Sequence, residues 1–85
     1  MFQINSEIET EKFIDAIEQA LPPIFARHSL TKLSGGLINS ATIANRMSRG
    51  DGPPGIRFGR NVGLVRKSFV EWLRNGNLQN IKEVK

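Results

Sequence analysis

Apolar residues recur at helical spacing early in the chain. Ile8, Phe13, Ile14, Ile17, Ala20 and Leu21 form a stripe close to the 3.6-residue period, and Glu7, Glu11, Asp15 and Glu18 occupy the other side. Ser6-Glu7-Ile8-Glu9 has the form of a capping box, with Ser6 as N-cap and Glu9 reaching back. A helix is therefore predicted from there to about Ala20, with Met1 to Asn5 as a loose arm. Pro22-Pro23 ends it, because Pro22 disfavours a helical Leu21 and neither proline donates a backbone hydrogen bond.

The stretch Ile24 to Ser34 reads as a second helical region, with Phe25, Leu30 and Leu33 as its apolar contacts. Either Ser29 caps a helix over Leu30 to Ser34, or the helix begins earlier, near Pro23. Gly35-Gly36 closes it. Leu37 and Ile38 are expected to plug the turn into the core. Asn39 or Ser40 caps the next helix, SATIANRMSRG, which stops at Gly50. Two short helices around a brief glycine-containing turn form a helix-turn-helix pattern.

Asp51 to Gly55 is irregular by composition. Ile56-Arg57-Phe58 alternates apolar and basic as a half-buried strand would. Gly59-Arg60-Asn61 makes a turn and Val62 to Val65 a second strand. Gly63 within that strand suggests a bulge or a close backbone approach. Phe69, Trp72 and Leu73 lie on one face of a closing helix over Lys67 to Arg74, with Trp72 as a core anchor. Asn75-Gly76-Asn77 ends it, and Leu78 to Lys85 has no clear pattern.

Composition narrows the classes. Eighty-five residues make one domain with one small core. Without cysteine there is no disulfide framework, thiolate nucleophile or cysteine-ligated zinc. The apolar runs are too short for a membrane span or a signal-peptide core, so a cytoplasmic protein away from membranes is expected. The net charge of +4 is unevenly spread. Residues 1–21 sum to −4, residues 22–74 to +7 and residues 75–85 to +1. A basic centre is the footprint that attracts a polyanion, although a solvated basic surface looks the same by charge alone.

Placed on a wheel at about 100° per residue, Thr42, Asn45, Arg46 and Arg49 share one face of the SATIANRMSRG helix, and Ile43, Ala44 and Met47 the other. That polar face holds an amide, two guanidiniums and a hydroxyl, with no acid. Asn and Arg side chains read base edges in a major groove, and Thr and Arg also hold phosphates.

Catalysis has little support. His28 is the only histidine, and it reads as a surface or capping residue rather than a general base. The acids are mostly confined to one helix. Gly50 to Gly55 is not a phosphate loop, because no Lys-Ser/Thr follows and no strand precedes it. No cofactor, metal or small-molecule substrate is expected, and the chain is not read as an enzyme.

The run SLTKLSGGLINSATIANRMSRGDGPPGIRFGRNVGLVRKSFVEWL resembles the excisionase-like and AlpA-like branch of MerR-type winged helix-turn-helix domains. The resemblance lies in the helix-turn-helix, the glycine and proline segment Gly50 to Gly55, the hairpin Ile56 to Arg60, and the closing Ser68-Phe69-Val70-Glu71-Trp72-Leu73. It covers about half the chain, and Leu64 stands where members often have an aromatic residue. It implies a mainly α fold with a small β-hairpin. That fold would be a winged helix-turn-helix over residues 22–74; the resemblance does not cover the extra acidic helix expected over 1–21 or the tail over 75–85. It also implies binding to double-stranded DNA as a prophage or mobile-element transcription regulator or excision factor. The implied recognition residues are Ser40, Thr42, Asn45, Arg46 and Arg49; the implied wing residues are Arg57, Arg60, Asn61, Arg66 and Lys67. The acidic helix remains open between a packing helix with a wet face and a contact for a second copy, a recombinase or another regulator. The alternative for the whole chain is a non-enzymatic protein-interaction module on a winged scaffold.

Overall fold

The computed structural model describes residues 2–76, with side chains from Glu9 onward. The positions expected for the Ile8 and Glu7 side chains, and for Asn77 and the tail from Leu78 to Lys85, lie outside the described part. Helix α1 spans Phe2–Ala20, strand β1 Ile24–Ala26, a 3-10 turn Arg27–Ser29, helix α2 Leu30–Leu33 and helix α3 Ser40–Arg49. Strands β2 (Ile56–Phe58) and β3 (Asn61–Val65) follow, then helix α4 over Arg66–Arg74. The described residues thus form a small α+β domain of four α-helices and a three-stranded antiparallel sheet in the order β1-β3-β2.

The helix begins at Phe2, so Ser6 lies inside α1 rather than at its cap, and there is no arm over residues 2–5. A serine inside a helix costs only a few tenths of a kcal/mol, which a continuous helix readily absorbs. Ile14, Ile17 and Leu21 are buried and Phe13 packs beside them, whereas Ala20 is exposed. Ile17 and Leu21 join Phe25, Leu30, Ile43, Val62, Leu64, Phe69 and Leu73 in one core cluster, with Phe13 packed against it, so α1 is built into the domain. Phe69 sits edge-on to Phe25 at 5.8 Å, within the spacing aromatic pairs prefer. Glu11 on α1 accepts two hydrogen bonds from Arg74 Nη1 at 2.9 and 3.0 Å, tying α1 to α4.

Ile24 to Ala26 is a strand, not the start of a helix. The prolines leave the chain extended, and β3 supplies the partners: Ile24, Phe25 and Ala26 pair with Val65, Leu64 and Gly63. The Arg66 N–H donates to Pro23 O at 2.8 Å and prolongs the pairing. The second helical region shrinks to the 3-10 turn and the four residues of α2, and the Ser29 side chain makes no cap hydrogen bond. Leu37, expected in the core, is 61% exposed, while its neighbour Ile38 packs against the core. The Ile38 N–H is held by Ser34 Oγ at 2.9 Å, which turns Ile38 inward and leaves Leu37 on the outside of the turn.

All three residues of β2 are exposed: Arg57 as expected, and Ile56 and Phe58 against the expectation of a half-buried strand. Phe25, Val62 and Leu64 face the helices, and Arg57 pairs with Val62 on that side. Ile56 and Phe58 therefore face solvent on the outer side, 68% and 82% exposed. Gly63 makes no bulge, because the register runs unbroken through it. A Cβ there would meet nothing nearer than Ile56 O at 3.8 Å.

Candidate nucleic-acid interface

Helix α3 is fixed at both ends. Asn39 is the N-cap, its Oδ1 accepting from the Ala41 and Thr42 N–H groups at 2.8 and 3.4 Å. The Ser40 N–H donates to Thr31 Oγ1 at 3.0 Å, and the Thr31 hydroxyl donates to Ser40 Oγ at 3.2 Å. Ser40 thus clasps α3 to α2. At the other end Gly50 takes φ +89°, with Gly50 N–H on Met47 O and Asp51 N–H on Arg46 O at 3.1 and 3.0 Å. This Schellman closure needs the left-handed conformation, which glycine adopts without a Cβ penalty.

Ile43 is buried and Ala44 and Met47 are half-buried, which seats α3 on the core. The arc left to solvent comprises Ala41, Thr42, Asn45, Ser48 and Arg49. Three expected recognition residues, Thr42, Asn45 and Arg49, share that arc. Ala41 and Ser48 belong to it too, and the wheel alone was sufficient to place both beside Asn45.

Arg46 lies on the flank of the arc, half-buried. Its guanidinium lies over the Trp72 ring at 5.1 Å from the centroid. Its Nε is 3.5 Å from Asp51 Oδ2, and Nη2 donates to Asp51 O at 3.4 Å. Asp51 also pairs with Arg49 at 3.7 Å and accepts from Trp72 Nε1 at 3.2 Å through its carbonyl. Trp72 itself stacks on Phe69 at 5.9 Å, as its expected role of anchor requires.

The loop after α3 crosses back over Met47. A Cβ on Gly52 would lie 2.6 Å from Met47 N, which explains a glycine at that close approach. Pro53, in the same loop, is buried. The chain then enters the hairpin, where Phe58 pairs with Asn61 across Gly59 and Arg60. Arg60 and Asn61 are exposed at its tip, and Arg57 is exposed on the side facing α3. A cavity of about 390 Å³ separates the hairpin from α3, lined by Arg27, Ala44, Met47, Ser48, Gly55, Arg57 and Val62. Sequence reasoning missed Arg27. It reaches this cavity because β1 pairs with β3, a long-range event with no local signal.

Arg66 and Lys67 stand at the opposite end of β3 from the hairpin tip. Arg66 is half-buried and donates from Nη1 to Leu21 O at 3.0 Å, satisfying a carbonyl at the end of α1. Lys67 is exposed. Away from these residues, Arg74 is held further in its charged form than usual by its hydrogen bond to Glu11, with the charges of Glu11, Asp15 and Glu18 acting the same way.

No protein-family model matches the chain, and neither a curated protein nor a solved structure matches it.

Proposed function

We propose that the chain is a sequence-specific, double-stranded-DNA-binding protein of the winged helix-turn-helix type. In this reading α3 enters the major groove, and the hairpin carrying Arg57, Arg60 and Asn61 rests on the backbone or in the minor groove. One observation carries it: the exposed arc of α3 presents Thr42, Asn45, Ser48 and Arg49, with the Asp51 carboxylate 3.7 Å from Arg49 just beyond the helix end, beside a hairpin that adds two further guanidiniums. Amide, hydroxyl and guanidinium groups are the donors and acceptors that base edges and phosphates accept. The order of elements, with α2 and α3 followed by a two-stranded arm, fits that mode of docking. The resemblance to excisionase-like and AlpA-like domains extends the proposal to a prophage or mobile-element regulator or excision factor.

The test is a salt series of binding to random duplex and to fragments from the protein's own gene neighbourhood. The expected outcome is one fragment preferred by about a thousandfold or more, with affinity falling steeply as salt rises. Equal, weak binding to every duplex is the result that removes the proposal.

A second reading, a protein-interaction module, is favoured by a different observation. The outer face of the sheet exposes Ile24, Ile56, Phe58 and Val65 together, and a groove of about 480 Å³ runs along it. Contiguous exposed apolar surface of this kind often marks a protein contact.

A further inference from the structure

The arginines of this chain divide by what they touch. Arg46 and Arg49 meet Asp51, Arg66 meets Leu21 O, and Arg74 meets Glu11. Among the described residues, Arg27, Arg57 and Arg60 give no hydrogen bond or ion pair to any oxygen. Arg60 is exposed at the hairpin tip, where water serves it. Arg27 is different. It is half-buried, and its Nη1 donates only to the Met47 thioether, at 3.6 Å. A thioether is a weak acceptor for a guanidinium that carries five donors. Arg57 reaches the same cavity from the hairpin, and Ser48 from the edge of the α3 arc.

Two guanidiniums, with no carboxylate among the lining residues, put like charge on one cavity, and the half-buried one, Arg27, is incompletely bonded. An anion with several acceptor oxygens relieves both conditions, and the fork of an arginine matches a phosphate well. The cavity lies between the helix with the exposed polar arc and the hairpin, and it is open to solvent.

We propose that this notch, formed by Arg27, Ser48 and Arg57, seats a single backbone phosphate of duplex DNA. The proposal rests on the DNA-binding reading and deepens it. Arg27 grips the phosphate from the floor and Arg57 from the hairpin side, while Ser48, whose hydroxyl donates to Asn45 O at 3.0 Å, forms the wall on the α3 side. Seating one phosphate between α3 and the hairpin sets the depth and angle at which Asn45 meets the bases. Such contacts fix register without reading sequence.

The experiment uses the full chain and random-sequence duplex, for which no operator need be known. Wild type, Arg57→Gln, Arg27→Lys, Arg27→Gln and the Arg27→Gln/Arg57→Gln pair are titrated over a salt series, with circular dichroism melts as the folding control. Arg57 is exposed, so Arg57→Gln keeps the test valid if Arg27→Gln unfolds. Each Gln variant is expected to lose about three- to tenfold in affinity at moderate salt, and the double variant is expected to have a log–log slope shallower by about 0.9. A drop of about 1.8 means two separate phosphates and overturns the shared seat. Arg27→Lys, which keeps charge but loses the fork, is expected to fall between wild type and Arg27→Gln.

The two failures look different. If wild type binds DNA steeply with salt and folded Arg57→Gln matches it in affinity and slope, the notch is wrong and the DNA reading stands. If wild type binds no duplex, both fall together. Inorganic phosphate added at equal ionic strength separates the sources: an equal loss of DNA binding by wild type and Arg57→Gln is expected for a seat that needs the duplex. Selective competition against wild type shows a free-phosphate site and overturns the assignment to the DNA backbone.

Discussion

The Arg46 guanidinium lies over the Trp72 ring, 5.1 Å from its centroid, and joins the middle of α3 to α4. The contact is reinforced by Asp51, which meets Arg46 with its carboxylate and Trp72 with its carbonyl. Cation–π and partly exposed ion-pair contacts each contribute about 0.5–1 kcal/mol. Arg46→Ala is therefore expected to destabilise the fold by about 1 kcal/mol and to shift the emission of the sole tryptophan. Its effect on DNA should be a similar loss on every sequence. A loss confined to one preferred sequence, with the melting temperature unchanged, shows instead that Arg46 leaves Trp72 to read a base.

Asn45 occupies the centre of the exposed arc of α3, and its side chain is exposed. Asn45→Ala should leave the melt within about 0.5 kcal/mol of wild type. If its amide pairs with a base edge, the substitution should cost about 1–3 kcal/mol on the preferred duplex and nothing on random duplex. Competition binding with the two duplexes measures both numbers at once. Equal loss on both would move Asn45 from the bases to the backbone.

Local chemistry made several elements legible. Asn39 and Gly50 bracket α3 as cap and stop, and the Phe69, Trp72 and Leu73 spacing marks α4. What stayed hidden depends on distant pairing. Ile24 to Ala26 has too few residues to show a period, and it becomes a strand only because β3 lies beside it. The alternation of Ile56-Arg57-Phe58 announces a strand, but period two does not say which set faces inward. Arg57 lies on the helix-facing side, where β3 turns Val62 and Leu64 to the core, but it stays exposed itself. The candidate site divides in the same way. Thr42, Asn45 and Arg49 follow from helix geometry, whereas the ties of Ser40 to Thr31 and of Arg66 to Leu21 arise from tertiary contacts.

Arg66 tests that division. Its hydrogen bond to Leu21 O closes the end of α1 across the sheet. Arg66→Ala leaves that carbonyl without its charged donor, and a loss of about 1–2 kcal/mol is expected from hydrogen bonds of this kind. The salt slope of DNA binding should be unchanged. A slope shallower by nearly one unit, with stability intact, would return Arg66 to the DNA backbone.

Two glycines should respond oppositely to the same change. Gly52→Ala places a Cβ 2.6 Å from the Met47 backbone nitrogen, where the loop lies on α3. Backbone has to move, and destabilisation of about 1–3 kcal/mol is expected. Gly63→Ala adds a Cβ with 3.8 Å to its nearest neighbour, in a regular strand. Replacing glycine in an extended segment should stabilise by about 0.5–1 kcal/mol. Paired urea melts decide the point, and a neutral Gly52→Ala would mean that the loop does not rest on Met47.

The outer sheet face gives the last prediction, and it separates the two functional readings. Phe58 is 82% exposed and Ile24 69% exposed, so neither contributes much burial to the fold. The pair Phe58→Ser and Ile24→Thr should therefore leave the melt within about 0.5 kcal/mol of wild type. DNA binding through the α3 arc should be unaffected by Ile24→Thr, which lies at the end of the sheet away from the hairpin tip. Phe58→Ser is more informative, because Phe58 adjoins the hairpin turn. Apolar side chains can act as wedges between base steps in a minor groove. If Phe58→Ser weakens DNA binding while Ile24→Thr does not, the exposed phenylalanine belongs to the DNA contact. If both variants bind DNA normally but remain monodisperse at concentrations where wild type self-associates, the face is a surface for a second copy. Its apolar character is then accounted for without any role in DNA.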